Sequence, residues 1–328
     1  MNYMKVLAVS GLVALVLVSL LLFYILGAER FADYSNYVRI AEGDGYAYSE
    51  HDYVFEWLSR FFLSLSGFSS SERVALLIFA NQVVCVVFFV WAAIRNRAEA
   101  VFGVLLIFCL FGFLFMTTTL RAAPAYLLIS AFYIRGGRFD ALGVGLLIFA
   151  LAWHDSAALV VLICMAAYFA SLFVGGKLKG LVGPVLVVFV FLSVAVVFFS
   201  GFFRSYAVVS LPVDLGVRAA YFDGEGDQSY LKGLFVVFTL MLCLSFVVDK
   251  RVSSRARLYV TLLSVAVSFL YVISAVAAVR LALYIYVVIL PLRGIFIFEF
   301  EKVRELRFYL FLCLPFIYTV SAAGVLFS

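Results

Sequence analysis

Charge is scarce in this chain of 328 residues: Asp, Glu, Lys and Arg together make up 13% of it, and histidine occurs only at His51 and His154. A soluble domain carries roughly a quarter of its residues charged, so a soluble enzyme of this length is excluded. The five cysteines (Cys85, Cys109, Cys164, Cys243, Cys313) all lie inside apolar runs, with no paired or CxxC spacing. That excludes a disulfide framework and a thiolate metal centre. No P-loop, glycine-rich dinucleotide fingerprint, HExxH or GxSxG segment is present, so no cofactor and no metal are expected. A net charge of +5 offers too small a basic surface for a nucleic-acid partner. There is also no internal repeat.

What is abundant is apolar. Hydrophobic residues make up 66% of the chain and its mean hydropathy is +1.16. Continuous apolar runs of about 18 or more residues recur throughout, the signature of helices that cross a bilayer. A transmembrane barrel would alternate polar and apolar residues instead. The expected fold class is therefore all-α: a polytopic integral membrane protein of about eleven transmembrane helices, with nine to twelve accommodated. Residues 1–328 form one transmembrane domain. The first span runs from Val6 to about Leu26, longer than the apolar core of a secretory signal and without a small-residue cleavage site, so it is expected to stay attached. Further spans are expected at 73–94, 99–117, 121–134, 140–153, 156–174, 180–200, 231–248, 258–278, 281–298 and 308–327. Those at 121–134 and 140–153 are too short to cross an average bilayer unaided, and are expected to tilt, to thin the bilayer or to be re-entrant. Two polar connections stand out, 27–71 and 201–230. Within the first, Tyr53 to Leu65 reads as an amphipathic helix lying in the interface, with Glu56 and Arg60 one turn apart.

Charge asymmetry orients the chain. With the amino terminus inside, the inner connections hold 15 of the 24 basic residues and 6 of the 19 acidic ones, and the outer segments hold 9 basic and 13 acidic. Positive charge is thus retained on the cytoplasmic side. Both long loops, together with Arg121, His154 and Arg280, then fall on the outer side. A transporter usually keeps its key charges near the midplane between two related halves. Chemistry gathered on one face suits an outward-facing enzyme or receptor better.

Arg121, Arg280 and His154 are the strongest candidates for that chemistry, because ionisable groups at the edge of a bilayer core are costly without a function. The planar guanidinium fork binds phosphate bidentately and can stabilise charge on a departing diphosphate. A lone arginine would as readily snorkel to lipid headgroups; two arginines with a histidine on one side favour the functional reading. His154 could act as a general base, since imidazole titrates near neutral pH. The alternative is that His154–Asp155–Ser156 simply forms the turn between two spans. Asp155 is expected to point away from His154, as neighbours on a helix do. In the loops, Asp33 and Tyr37 would share a helical face and Glu56 would open the next helix, and Arg218 joins them as a substrate contact. Carboxylates and aromatic rings together suit sugars, through hydroxyl hydrogen bonds and ring stacking. A solvated loop with an aromatic belt is the plain alternative for each of them.

Taken in order, these residues resemble the EpsG family of bacterial exopolysaccharide and O-antigen polymerases (Wzy-type proteins). The resemblance rests on Asp33-Tyr34-Ser35-Asn36-Tyr37 after the first span, Glu56 opening a helix, and Arg121 leading RAAPAYLLISAFYI. It continues with His154-Asp155-Ser156 and with Arg280, Tyr284 and Pro291, covering roughly residues 30–290. The chain departs from the pattern where Ala122-Ala123-Pro124 follows Arg121 in place of a polar residue. The resemblance implies a metal-independent glycosyltransferase without a nucleotide sugar, at the periplasmic face of the bacterial inner membrane. It would move a growing glycan from undecaprenyl diphosphate to a lipid-linked repeat unit, in O-antigen (lipopolysaccharide), capsule or exopolysaccharide synthesis. Its implied partners are undecaprenyl-diphosphate-linked oligosaccharides, the lipid bilayer and a chain-length regulator. Arg121 and Arg280 would hold the donor diphosphate and His154 would activate the acceptor, with Asp33, Tyr37 and Glu56 orienting sugars or substituting as the base, and Arg218 and Tyr284 on the substrate. Two other classes compete: a transporter or flippase of lipid-linked oligosaccharide or another solute, and a membrane acyltransferase acting on the same glycan.

Overall fold

The computed structural model describes residues 34–42, 53–95, 122–173, 179–198, 230–249 and 252–293, and singly Val6, Ser10, Val13, Ala14, Ile107 and Phe111. Every regular element among the described residues is a helix. In chain order they are α1 (Tyr34–Ala41), α2 (Tyr53–Leu63), α3 (Ser70–Arg95), α4 (Ala123–Ile134), α5 (Ala141–Trp153) and α6 (Ala157–Phe173). They continue with α7 (Lys179–Phe198), α8 (Tyr230–Val248), α9 (Ser254–Ile273) and α10 (Ala275–Arg293). The spans expected at 99–117 and 308–327, and most of the first, lie outside the described residues.

Local chemistry sets the boundaries. Helix α3 starts on a capping box: the Ser69 hydroxyl accepts from the Glu72 backbone N–H (3.4 Å), and the Glu72 carboxylate accepts from the Ser69 backbone N–H and hydroxyl (both 2.8 Å). Those bonds, the backbone one first, hold the Glu72 carboxyl below its usual range. Helix α4 has Pro124 in its first turn, where the missing N–H costs nothing. It stops at Gly136 (φ 83°) and Gly137 (φ 61°), whose N–H groups return to Tyr133 and Phe132. Asp140 then caps α5 by accepting from Gly143 N–H at 2.7 Å, while the Arg135 guanidinium grips both of its carboxylate oxygens at 3.1 and 3.0 Å. The hydrogen bond from Arg135, then the Gly143 N–H, holds Asp140 below its ordinary value.

Helix lengths agree with the sequence expectation except near the end. The sequence places a break at 279–280, between spans 258–278 and 281–298; the structure places it at Ser274. That residue is extended (φ −149°, ψ 116°), its N–H closes α9 on Leu270, and its hydroxyl accepts from Ala277 N–H to open α10. A serine that can cap outweighs an arginine that need not interrupt a helix. Arg280 consequently sits inside α10.

The described helices belong to two compact units, divided between Val161 and Leu162, with α10 counted in the second up to Ile289. In the first, α3 packs on α1, α2 and α4, α4 and α5 form a hairpin, and α2 also meets α5. Helix α2 buries Phe55 and Ser59 and exposes Arg60 with the stacked rings of Trp57 and Phe61, the face an interfacial helix carries. In the second, α7, α8 and α9 pack on one another. Tyr286 joins α10 to α8 through the Thr239 hydroxyl (3.1 Å) and the Phe235 ring (5.5 Å). Arg255 ties α9 to α6, donating to the Ser171 hydroxyl at 3.3 Å and lying 4.8 Å over the Tyr168 ring.

The surface of these helices is apolar: Val84, Ile148, Phe149, Leu162, Phe189, Leu192 and Phe269 are all exposed. A water-soluble fold does not present so much apolar area. Hydroxyls inside the bundle turn back on their own helices instead: those of Ser193, Thr239, Thr261, Ser264 and Ser268 donate to the carbonyl four residues earlier. By length and composition Ser254–Ile273 and Ala275–Leu292 can each cross a membrane, and several further helices are apolar but shorter. All of this is consistent with a helical membrane protein.

Candidate active site

The candidate site is built at the end of α5. Trp153 closes the helix and is 9% exposed. His154 leaves it with extended backbone (φ −150°, ψ 131°), its N–H bonded to Ala150 and its carbonyl accepting from Ala157 N–H. Asp155 and Ser156 make the turn into α6. His154 is therefore the residue that breaks a run of apolar helix.

Because His154 is not helical, the expected divergence of His154 and Asp155 does not hold. Imidazole Nδ1 lies 3.1 Å from the Asp155 carboxylate, and both side chains are mostly buried, at 15% and 20% exposure. The rule that successive residues do not face one another applies inside helices only; one extended residue turns the second side chain back onto the first. A carboxylate on Nδ1 fixes the ring orientation and tautomer and directs chemistry to Nε2. Asp155 is the candidate residue that sequence reasoning set aside, because it was expected to point away from His154. Its signal is the His-Asp-Ser order itself, where an acidic residue sits before a new helix.

Beside this turn lies an aromatic cluster. Tyr37 of α1 is 2% exposed and packs with Phe55 of α2, ring centroids 6.0 Å apart, and with Val74, Leu77, Ile78 and Trp153. The structure thus brings Tyr37 together with Trp153, the neighbour of His154, and makes the Tyr37 ring a packing element instead of an open loop side chain. The Trp153 indole N–H and the Ser59 hydroxyl are buried with no hydrogen-bond partner among the described residues, a costly condition that native proteins keep for a reason. Glu56 is on α2, one turn before Arg60, with its side chain outside the described residues. Asp33, Arg121 and Arg218 also lie outside the described residues.

Arg280 and Tyr284 belong to the second unit. Arg280 is exposed, whereas every residue from Leu281 to Pro291 is buried. Tyr284, one turn further along α10, is fully buried, and its carbonyl accepts from the Tyr259 hydroxyl at 3.5 Å. The arginine thus immediately precedes a stretch of α10 that is buried throughout, Leu281 to Pro291.

No curated protein and no solved structure matches this chain. A family model does, over residues 12–327. That match takes in the segments carrying Tyr37, Glu56, His154, Arg280 and Tyr284, and by it the chain belongs to the EpsG family.

Proposed function

We propose that this protein is a lipid-linked polysaccharide polymerase, transferring a growing glycan from undecaprenyl diphosphate to the sugar of another lipid-linked repeat unit. Membership of the EpsG family supports a polymerase of exopolysaccharide or O-antigen type. The observation that carries the chemistry is the His154–Asp155 pair, a base with its orienting carboxylate at 3.1 Å at the end of an apolar helix. In the proposed step His154 Nε2 takes the proton of an acceptor hydroxyl, whose oxygen attacks the anomeric carbon of the donor. The bond from that carbon to the diphosphate breaks, and undecaprenyl diphosphate leaves with the electron pair. Asp155 stabilises the imidazolium formed, as a buried carboxylate does in other base-orienter pairs.

The remaining roles follow from residue chemistry. Arg121 and Arg280 neutralise the diphosphate, Arg218 contacts the donor, and Asp33 and Glu56 serve the sugars, while the buried rings of Tyr37 and Tyr284 act by packing the helices that carry the site. The proposed setting is the inner membrane with eleven spans, a cytoplasmic amino terminus and the reaction on the periplasmic side, without metal or nucleotide sugar.

The test is a polymer-length assay. Surface polysaccharide and lipid-linked intermediates from a deletion strain are run on a gel after complementation with wild type and with Arg121→Ala. Wild type is expected to restore the ladder and Arg121→Ala to leave single repeat units. Repeat units that never reach the outer surface in the deletion strain would overturn the polymerase and favour a transporter.

A further inference from the structure

Helices α3, α4 and α5 enclose a groove of about 110 Å³ lined by Val84, Pro124, Leu127, Leu128, Phe149 and Trp153. No polar atom contributes to its walls. Val84 and Phe149 are themselves exposed, so the groove opens sideways through the apolar surface. Such a seat rejects sugars and phosphate, whose polar groups would go unbonded, and accepts hydrocarbon.

Its position narrows the choice of hydrocarbon. The arms of the hairpin are antiparallel, so the start of α4 (Pro124) lies beside the end of α5 (Trp153), and both line the groove. That end leads directly into the His154–Asp155 pair. The buried Trp153 indole N–H, with no acceptor among the described residues, belongs to the residue shared by groove and polar turn. Polar chemistry and apolar seat therefore meet head to tail, the order of groups in an amphiphile whose reacting head is bonded to its tail. The groove is also short: Pro124 to Leu128, and Phe149 to Trp153, each advance about 6 Å along their helix. It holds the beginning of a long tail only.

We propose that this groove seats the diphosphate-proximal isoprene units of a polyprenyl diphosphate, the hydrocarbon nearest the reacting head. The proposal rests on the polymerase reading for its head group, and on the groove alone for its tail.

The experiment uses the full protein in vesicles of phosphatidylethanolamine and phosphatidylglycerol, with two photoreactive polyprenyl diphosphates. One carries a diazirine on an isoprene unit next to the diphosphate, the other at the far end of the tail. The proximal probe is expected to label peptides containing residues 124–128 or 149–153, and excess unlabelled polyprenyl diphosphate to abolish that label. Val84→Trp, which fills the groove from its exposed side, and Leu128→Trp, which fills it from α4, should each lose it. The proposal is overturned if the proximal probe labels elsewhere, or if added phosphatidylglycerol displaces it as well as the unlabelled polyprenyl diphosphate does. It is likewise overturned if the distal probe labels the groove equally. Competed groove labelling with no polymer defect in the deletion strain would remove the polymerase reading and keep the groove. Restored polymer without groove labelling would do the reverse.

Discussion

Helices α4 and α5 are consecutive arms of one hairpin, of 12 and 13 residues, and they treat their surroundings in opposite ways. Ten residues of α4 are buried, among them Tyr126, Ser130 and Tyr133; only Gly143, Leu147, Ala150 and Trp153 are buried in α5. The outward face of α5 carries Leu142, Val144, Ile148, Phe149 and Leu151. In water the arm with hydroxyls would face out and the greasier arm in. Here the order is inverted, which is what hydrocarbon as solvent requires: hydroxyls and small residues pack against protein, and bulky aliphatic side chains meet lipid. The difference also divides the labour: α4 supplies a packed wall, and α5 delivers His154 from its far end.

The division can be broken or sharpened experimentally. The largest effect belongs to the end of α5. His154→Gln is expected to lower the rate of polymer formation by about 10²–10⁴, the usual contribution of a general base, without reducing the amount of protein in the membrane. Full activity in the variant would remove His154 as base. Asp155→Asn should cause a smaller fall, and preserved polymer length there would leave the carboxylate a purely structural partner of the ring.

Next comes packing. Ala131 in α4 is fully buried and Ala141 in α5 is exposed. Ala131→Leu should destabilise the protein by about 1–3 kcal/mol through overpacking, whereas Ala141→Leu should be near neutral. Thermal unfolding in detergent compares the two, and equal midpoints would mean that the arms are not packed differently.

The smallest effect lies at the tip. Asp140, held below its ordinary value of 3.8 mainly by the hydrogen bond from Arg135, contributes to the hairpin throughout neutral pH. That contribution starts to fade below 3.8 and is lost as pH falls through the lowered value, because the unfolded chain then binds the proton first. Protection of Gly143 N–H against hydrogen exchange, relative to the unfolded chain at the same pH, should fall over that acidic window, and Asp140→Asn should flatten the response. An unchanged profile in Asp140→Asn would assign the acid sensitivity elsewhere.

The fold class was legible because apolar run length is a direct consequence of bilayer thickness, and most described helix boundaries fall within two residues of the expected spans. Where expectation and structure part, a serine is responsible: Ser274 ends α9 with no charge or proline to announce it. The burial of α4 was illegible, since both arms are short, mainly apolar runs, and burial depends on which neighbours arrive. Among candidate residues, His154 stood out as a histidine at the end of a greasy run, and Arg280 as an arginine within one. The pairing of His154 with Asp155 could not be read, because it depends on one extended residue between two helices. Nor could the packing of Tyr37 against Phe55 and near Trp153, which joins segments far apart in the chain.

The shortness of the hairpin also bears on how the protein is made. At about 1.5 Å per residue, α4 and α5 measure roughly 18–20 Å, against a hydrocarbon core of about 30 Å. Neither arm is long enough to be released into lipid alone, and α4, buried on nearly every side, has almost no surface that lipid could wet. The tip bears Arg135 and Arg138, with Asp140 locked to the first of them, and is costly to drag through the bilayer. The two arms are therefore expected to enter the membrane as a pair.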